Sequence, residues 1–308
     1  MFSLRTMRPG DFDEVAELIF LSTNHWYEKN LGRPVFTGEP GVCRVFCDVY
    51  GELDPGYALV AVNESSDRII GSCFYHPRET HLSLGIMNVH PNYFGAGVAS
   101  RILNEILAIA AENDLPVRLV SSALNLDSFS LYNRLGFAPL AVYQDMILEV
   151  PRGGWSRSER PDLSSVRAAT TRDVDGMGAL EFAVSGISRE KDYRHFLDNR
   201  LGIWETRVSE NASGELDGFL VSVDHPGCTM IGPGVARDED VAERLLLAQL
   251  DRFSGRSVVF LLPAHLPGLA ARFYARGAKN CELHLAQANG EAQPVDGIVM
   301  PTFLPESA

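Results

Sequence analysis

The sequence is poor in cysteine, and its few cysteines form no pattern. Five are scattered along 308 residues, an odd number. Cys43 and Cys47 are four residues apart and could share one helix face, but no neighbouring Cys or His cluster completes a ligand set for zinc. We therefore expect two buried thiols and no metal site, and a reducing cytoplasm is the compartment that fits best.

Basic residues are also in deficit. Lys and Arg total 27 against 40 Asp and Glu, which gives a net charge of −13, and the deficit is present on both sides of Val150. Because nucleic-acid binding depends on cations at the phosphates, this balance argues against a nucleic-acid partner. An acidic surface suits an amine-bearing substrate, although it also favours simple solubility.

Long apolar runs are missing as well. The first residues, MFSLRTMR, contain no apolar signal core, and no stretch approaches the length of a membrane span. The sequence therefore predicts no membrane partner. An apolar content of 45% and a charged content of 22% are ordinary for a globular protein, and the chain length is natural for two domains.

The most informative segment is VHPNYFGAGVA at 89–99. It joins an apolar strand pattern, 82–89, to a helical stripe of apolar residues that begins at Val98. Glycines allow the backbone to approach a ligand, and the free N–H groups of a helix N-terminus attract phosphate. Two common phosphate motifs do not fit, because Ser100 replaces the third glycine of the dinucleotide fingerprint and no Gly-Lys-Ser/Thr follows.

A second segment, NLDSFSLYNRLGF at 125–137, follows an apolar strand pattern. Asn125 or Asp127 can cap a helix there, and Gly136 can end it. Together the two segments resemble the acyl-CoA site of the GNAT superfamily of N-acetyltransferases, whose pyrophosphate loop reads Gln/Arg-x-x-Gly-x-Gly/Ala. The resemblance covers residues 4–149, with Asn92 at the Gln/Arg position.

The resemblance implies a co-substrate and a set of binding residues. Acetyl-CoA would be the acyl donor, with loop amides at its pyrophosphate and the β-strand backbone beside its pantetheine arm. Asn125 would contact CoA, as well as or instead of capping its helix. The implied CoA-binding residues are Asn88, Val89, Asn92, Tyr93, Phe94, Gly95, Ala96, Gly97, Val98 and Asn125.

The resemblance also makes Tyr132 the catalytic general acid, which would protonate the departing thiolate. The alternative is that the ring only packs on an amphipathic helix, but its position seven residues after Asn125 and four before Gly136 favours the catalytic role. For the general base no residue stands out: the candidates are His25, Glu28, Glu79, His81 and His90, and a water relay would serve as well. Trp26, Tyr27 and Glu28 could border a small amine, although a helix that buries Trp26 explains the same pattern.

The chain also repeats itself. Leu4–Val15 recurs as Val166–Met177, and residues 97–103 recur as 240–246. In the second copy the two loop glycines are replaced by Asp238 and Asp240, whose carboxylates would repel a pyrophosphate. The second half is therefore predicted to keep the fold and to lose the cofactor site.

We accordingly predict two tandem GNAT-like α/β domains, each with a mixed, mostly antiparallel central sheet flanked by helices. Residues 1–150 form the acyl-CoA-binding catalytic domain, 151–163 a linker rich in Pro, Gly and Ser, and 164–308 the degenerate copy. In the first half we expect strands near 3–8, 57–63, 68–76, 81–89, 117–122, 137–139 and 142–149.

The predicted function is acetyl transfer from acetyl-CoA to a primary amine of a small molecule or peptide, by direct attack on the thioester. The alternative is a non-catalytic acyl-CoA sensor or regulatory protein. A donor with a longer acyl chain and a homodimer both stay open.

Overall fold

The structure is a computed structural model that describes residues 1–155 and 161–306. Part of the predicted linker, 156–160, and the last two residues of the predicted second domain therefore lie outside the described residues. No helix in the described ranges is long and apolar enough to cross a membrane.

The first half follows the predicted order of elements. Its members are β1 (Phe2–Thr6), α1 (Phe12–Leu31), α2 (Arg44–Leu53), β2 (Ala58–Asn63), β3 (Ile69–Pro77), β4 (Leu82–Val89), α3 (Val98–Glu112), β5 (Val117–Ser122), α4 (Leu126–Arg134) and β6 (Ala138–Glu149). One prediction was wrong: the segments 137–139 and 142–149 are not two strands but the single strand β6.

The second half repeats this order. Its members are β7 (Val166–Ala168), α5 (Val174–Ser185), α6 (Glu190–Asp198), β8 (Trp204–Glu210), β9 (Leu216–His225), β10 (Cys228–Ala236), α7 (Glu239–Leu250), β11 (Ser257–Pro263), α8 (Pro267–Ala275), β12 (Lys279–Asn289) and β13 (Ile298–Met300). The ion pair Arg5–Asp11, at 2.6 Å, recurs as Arg167–Asp173, at 2.7 Å. The tandem repeat and the mixed α/β class are confirmed.

The strands form one continuous sheet, in which the two halves exchange their last long strands. The order is β1-β2-β3-β4-β5-β12-β6-β11-β10-β9-β8-β7, with β13 on β10. Strand β12 of the second half lies antiparallel between β5 and β6, and β6 of the first half continues the sheet onto β11. Strand β12 therefore completes the sheet beside β5 of the first half, and β6 completes it beside β11 of the second.

Two parallel strand pairs lie at corresponding places in the two halves. Strands β4 and β5 pair only at Leu82–Val117 and Ser83–Arg118, and then diverge. Strands β10 and β11 pair only at Met230–Val259 and Ile231–Phe260. Beyond that point β13 takes a place along β10, antiparallel from Gly234 to Ala236. The divergence therefore stays open in the first half and is filled in the second.

Helix α3 packs its apolar stripe on the first-half sheet, as its spacing predicts. Val98, Ile102, Leu103, Ile106 and Ala110 are all buried. A side chain at Gly71 of β3 would meet the Val98 methyl at 2.6 Å, so the glycine sets how closely helix and sheet approach. This contact fixes the start of α3 beside the end of β4, where the glycine loop lies.

A buried ion network joins the halves. Arg78, next to the end of β3, contacts Asp54 of the first half at 2.9 Å and Asp192 of α6 at 2.5 Å. Lys191 reaches Asp54 from the same helix at 2.7 Å. Because breaking a buried pair leaves an uncompensated charge, the network fixes how the halves pack together. Elsewhere in the core Cys43 and Cys47 are fully buried, as expected.

Candidate active site

A cleft of about 1080 Å³ opens where β4 and β5 diverge. Its walls include β4 from Leu84 to Val89, the glycine loop, the end of β5 and helix α4. It then continues to the second half, where residues 226–230 and strand β12 form part of the lining. The cleft is therefore built from both copies of the fold.

The glycine loop has the backbone conformation that only glycine adopts readily. After a short 3-10 helix at Pro91–Tyr93, Gly95 has φ of 77° and Gly97 has φ of 81°. A Cβ at either position would meet nothing within 4 Å, so the positive φ, and not crowding, requires glycine here. Gly97 is the N-cap of α3 and delivers the chain into the helix.

Some loop amides are engaged within the loop. The N–H groups of Tyr93, Phe94 and Ala96 donate to backbone carbonyls, and that of Asn92 donates to His90 Nδ1 at 3.2 Å. Within the described ranges the amides of Gly95, Gly97 and Val98 have no such partner. They lie at the N-terminus of α3, so these three amides fit an anionic group best.

Tyr132 lines the cleft from α4 and is 7% exposed. Its ring packs on Phe137 at 5.6 Å, so the packing role is real. Its hydroxyl has no hydrogen-bond partner in the described part of the chain. Burial raises the pKa of Tyr132 well above its usual value, so the phenol stays protonated at neutral pH.

Asn125 caps α4, since its side-chain oxygen accepts the Ser128 N–H at 3.1 Å. It also lines the cleft, as do Asn88 and Val89. The Asn88 amide donates to Thr23 Oγ1 at 3.2 Å, while its buried Oδ1 has no partner among the described residues. The helix cap is thus present, and contact of these residues with CoA stays a prediction.

Two of the three predicted substrate residues line the cleft, and the third does not. Trp26 and Tyr27 line the cleft with their rings edge-on at 5.0 Å, and the Tyr27 hydroxyl donates to Glu282 Oε2 at 2.8 Å. Glu28 is exposed and does not line the cleft. Trp26 is only partly buried, so core packing does not account for it.

None of the five candidate bases lines the cleft. His90 belongs to the hydrogen bonding of the glycine loop, and His25 lies on the exposed side of α1. His81 is buried, and burial together with Arg118 lowers its pKa well below the usual value, so its ring stays neutral.

Three of the titratable side chains in the cleft, all missed by sequence reasoning, lie close together. They are Asp145 of β6 and Glu282 and His284 of β12. Their ligand-type atoms all lie within 4.8 Å of one another, and Asp145 Oδ1 accepts a hydrogen bond from His284 Nδ1 at 2.9 Å. No local pattern could bring them together, because the contact depends on the exchange of β6 and β12.

Glu306 also enters the cleft wall, near Tyr132. Burial raises the pKa of its carboxyl group well above the usual value, so this group favours the neutral form. It therefore adds little negative charge to the part of the cleft that Tyr132 lines.

In the second half the corresponding helix N-terminus is occupied by the chain itself. Asp238 accepts the Val241 N–H at 2.9 Å and caps α7, and Asp240 pairs with Arg272 at 2.7 Å. A carboxylate thus lies where the first half has open glycine backbone. Together with β13, which lies beside β10, these contacts give a physical reason for the prediction that the second half has no cofactor site.

Two family models match the chain. The Acetyltransferase (GNAT) family matches residues 22–137, and an Acetyltransferase (GNAT) domain matches residues 179–283. The first match contains the glycine loop and Tyr132, and the second ends within β12. No curated protein sequence resembles the chain significantly.

Solved structures with the same tandem fold span nearly the whole chain. A putative acetyltransferase from Pyrococcus horikoshii has a TM-score of 0.77 at 16% identity, covering 99% of this chain and 96% of that one. A GCN5-related N-acetyltransferase from Sphaerobacter thermophilus has a TM-score of 0.63 at 16% identity, covering 96% and 97%. A tandem GNAT protein from the clavulanic acid biosynthesis pathway has a TM-score of 0.60 at 14% identity, covering 95% and 100%. At these identities the likeness shows the fold alone.

Proposed function

Because the chain is a tandem member of the GNAT acetyltransferase superfamily, we propose that its first half transfers an acetyl group from acetyl-CoA to a primary amine of a small molecule or peptide. The observation that carries the proposal is the cleft between β4 and β5. It combines the positive-φ glycine loop with a protonated tyrosine hydroxyl that has no hydrogen-bond partner in the described ranges. The cytoplasmic location of the protein stays a prediction from the sequence.

The described residues fit the acyl donor. The amides of Gly95, Gly97 and Val98 would hold the pyrophosphate at the N-terminus of α3. Beyond Ser83 the β5-facing edge of β4 has no strand partner among the described residues, so the backbone near Asn88 can bond an extended pantetheine arm. Acetyl-CoA supplies an activated thioester, and these contacts would hold it for attack.

Tyr132 is suited to protonate the departing sulfur. Reference pKa values of about 8.5 for a thiol and about 10 for tyrosine make that transfer uphill in water. Burial raises the pKa of Tyr132, and the same desolvation raises that of a thiol placed beside it. The residue therefore remains a proton donor, and Glu306 near it is biased to the neutral form.

The non-catalytic sensor is favoured by one observation, the absence of all five predicted bases from the cleft wall. The Asp145–His284 pair counts against it, because a histidine oriented by a carboxylate is a common proton acceptor. We therefore favour the enzyme.

The test is acetyl transfer by the full chain to a panel of primary amines, followed by mass spectrometry and by release of free thiol. Tyr132→Phe should lower turnover about 100-fold or more, since one proton transfer is impaired, while the acetyl-CoA Kd stays unchanged. Tyr274→Phe is the control, because Tyr274 is the tyrosine of the corresponding helix α8 and lies outside the cleft. Acetyl-CoA binding without transfer to any amine would indicate the sensor instead.

A further inference from the structure

Four side chains from both halves lie together in the cleft wall, and we call them the junction cluster: Tyr27, Asp145, Glu282 and His284. Glu282 lies directly opposite Asp145 in the antiparallel pairing of β12 with β6. Opposed residues share a face of the sheet, and His284, two residues on, shares it too. The register shifts just before Glu282, between Asn280 and Glu282, and such irregularities often re-aim side chains beside active sites.

The arrangement places two carboxylates side by side, which is unfavourable unless a cation compensates them. Asp145 has a partner in His284, and one oxygen of Glu282 accepts from Tyr27. Glu282 is only 9% exposed, and its other oxygen, Oε1, is buried and has no hydrogen-bond partner in the described ranges. A buried carboxylate oxygen in a cleft wall, with no donor of its own, indicates a cationic ligand.

We propose that the junction cluster is the acceptor site: Glu282 binds the ammonium group of the incoming amine, and His284, held by Asp145, takes its proton. The inference rests on the proposed acetyl transfer and adds the residues that recognise and activate the acceptor. It also gives the second half a function, because β12 supplies two of the four side chains.

The hydrogen bond to Asp145 sets the chemistry of His284. A carboxylate acceptor at Nδ1 keeps the proton on that nitrogen and leaves Nε2 with a free lone pair. A proton moves from the ammonium nitrogen to Nε2, giving a neutral amine and an imidazolium that Asp145 stabilises. Asp145 is thus a positioning residue, and His284 is the catalytic one.

The remaining steps balance without another reactant. The amine lone pair forms the C–N bond at the thioester carbonyl, and the C–S electron pair leaves on sulfur, which takes the Tyr132 proton. The second nitrogen proton returns to Tyr132, and His284 releases its proton to solvent. The products are the acetamide, free CoA thiol and one proton.

The surroundings support an ammonium ligand. Tyr27 stays a phenol, because burial and the neighbouring Glu282 raise its pKa, so it can only donate to that carboxylate at neutral pH. Cys281 donates to the Asp145 backbone at 3.4 Å, so its thiol does not satisfy the free Glu282 oxygen. Arg33 also lines the cleft, but within the described ranges it forms no ion pair with Asp145 or Glu282 that would compensate them. A divalent cation is the rival ligand, since Asp145, Glu282 and His284 are suitable donors. The direct hydrogen bond between His284 Nδ1 and Asp145 Oδ1 favours the ammonium, because each of these two atoms is already engaged and is not free to bind a metal ion.

The first experiment measures binding without knowledge of the natural acceptor. CoA thioethers with terminal ammonium chains of increasing length are titrated into the full chain beside alkyl thioethers of matched length. At the best length, the ammonium thioether should bind about tenfold tighter or more, because it meets a charged hydrogen-bond acceptor. Glu282→Gln, which keeps the shape, should abolish this preference and leave acetyl-CoA affinity unchanged. Glu149→Gln, which changes an exposed carboxylate on the neighbouring strand β6, is the control.

The second experiment follows the His284 ring by ¹⁵N NMR. The free protein should show an Nδ1–H tautomer, and the ammonium thioether should shift Nε2 while the alkyl thioether does not. Asp145→Asn should remove the tautomer preference and leave thioether affinity nearly unchanged. An unshifted Nε2 would overturn the role of His284.

The outcomes separate the two levels of the argument. Equal binding of ammonium and alkyl thioethers, with acetyl-CoA still bound, would overturn the acceptor site and leave the proposed function standing. Zn²⁺ binding that requires Glu282, with no ammonium preference, would replace the inference by a metal site. Failure of acetyl-CoA and every thioether to bind would overturn both.

Discussion

The two halves of the chain share an element order but treat the same opening in opposite ways. In the first half β4 and β5 diverge after two paired residues and leave a cleft, which the Gly95–Gly97 loop borders. In the second half β13 fills the corresponding space along β10, and Asp238 caps the corresponding helix with its own carboxylate. The fold therefore does not require a ligand in this opening, because a strand such as β13 and a helix-capping side chain such as Asp238 can occupy the same space.

This difference separates fold from function within a single chain. The repeated Arg–Asp pair at the start of each half shows that structural contacts are kept in both copies. The loop glycines Gly95 and Gly97, with positive φ, are replaced in the second half by Asp238 and Asp240, and Asp238 accepts the Val241 N–H. The second half contributes instead through β12, which brings Glu282 and His284 to the cleft of the first.

The largest expected effect comes from giving the first-half loop the carboxylate of the second. Gly97→Asp should weaken acetyl-CoA binding about 100-fold or more, because it forces a non-glycine residue to φ of 81° and places a negative charge at the pyrophosphate. Isothermal titration gives the Kd. Gly97→Asn carries similar strain without the charge and should cost only about tenfold. Equal losses of acetyl-CoA affinity in both variants would mean that the carboxylate charge is not what separates the binding half from the non-binding half.

A smaller effect compares the structural pairs that both halves retain. The hydrogen bonds of Arg167, with those of Thr170, lower the pKa of Asp173 to about 2, and Arg5 lowers that of Asp11. A carboxyl group whose folded pKa is depressed stabilises the protein above its unfolded pKa of about 4, and this stability is lost as the pH falls. Asp173→Asn should therefore cost about 1–2 kcal/mol at neutral pH.

Urea unfolding at several pH values checks this. The gap between Asp173→Asn and the parent should close as the pH falls from about 4 to about 2. Asp11→Asn should show the smaller loss, because Asp173 also accepts from the Thr170 hydroxyl and Asp11 has no such donor in the described residues. A gap that persists unchanged at acid pH would mean that the ionised pair is not its source.

The smallest expected change in binding comes from the reverse substitution. Asp238→Gly with Asp240→Gly restores the glycines in the second half but should create no second acetyl-CoA site, because β13 still lies in the opening. Because glycine is itself tolerated at an N-cap, loss of the Asp238 cap should lower stability by only about 0.3 kcal/mol. Titration and urea unfolding measure the two effects, and a second bound equivalent of acetyl-CoA would show that the carboxylates alone closed the site.

Local pattern was enough to predict the fold class and the cleft, and physical reasons explain what it missed. The α3 stripe, the loop glycines and the repeat are all contained in short segments, so periodicity and spacing predict them. Strand order across a sheet depends on contacts between distant segments, such as β5 with β12. The alternation of residues along β6 or β12 is the same whichever neighbour each strand has. The sequence thus predicts Tyr132 and the glycine loop but cannot place His284 in the first-half cleft.

The most direct test of the account is the stoichiometry of acetyl-CoA binding to the unmodified full chain, measured by isothermal titration. One equivalent per chain is predicted. In the described ranges β4 and β5 leave an open divergence beside the free amides of Gly95, Gly97 and Val98, whereas β13 fills the corresponding space in the second half. Two equivalents would contradict the contrast between the halves, and no binding would contradict the acyl-CoA site itself.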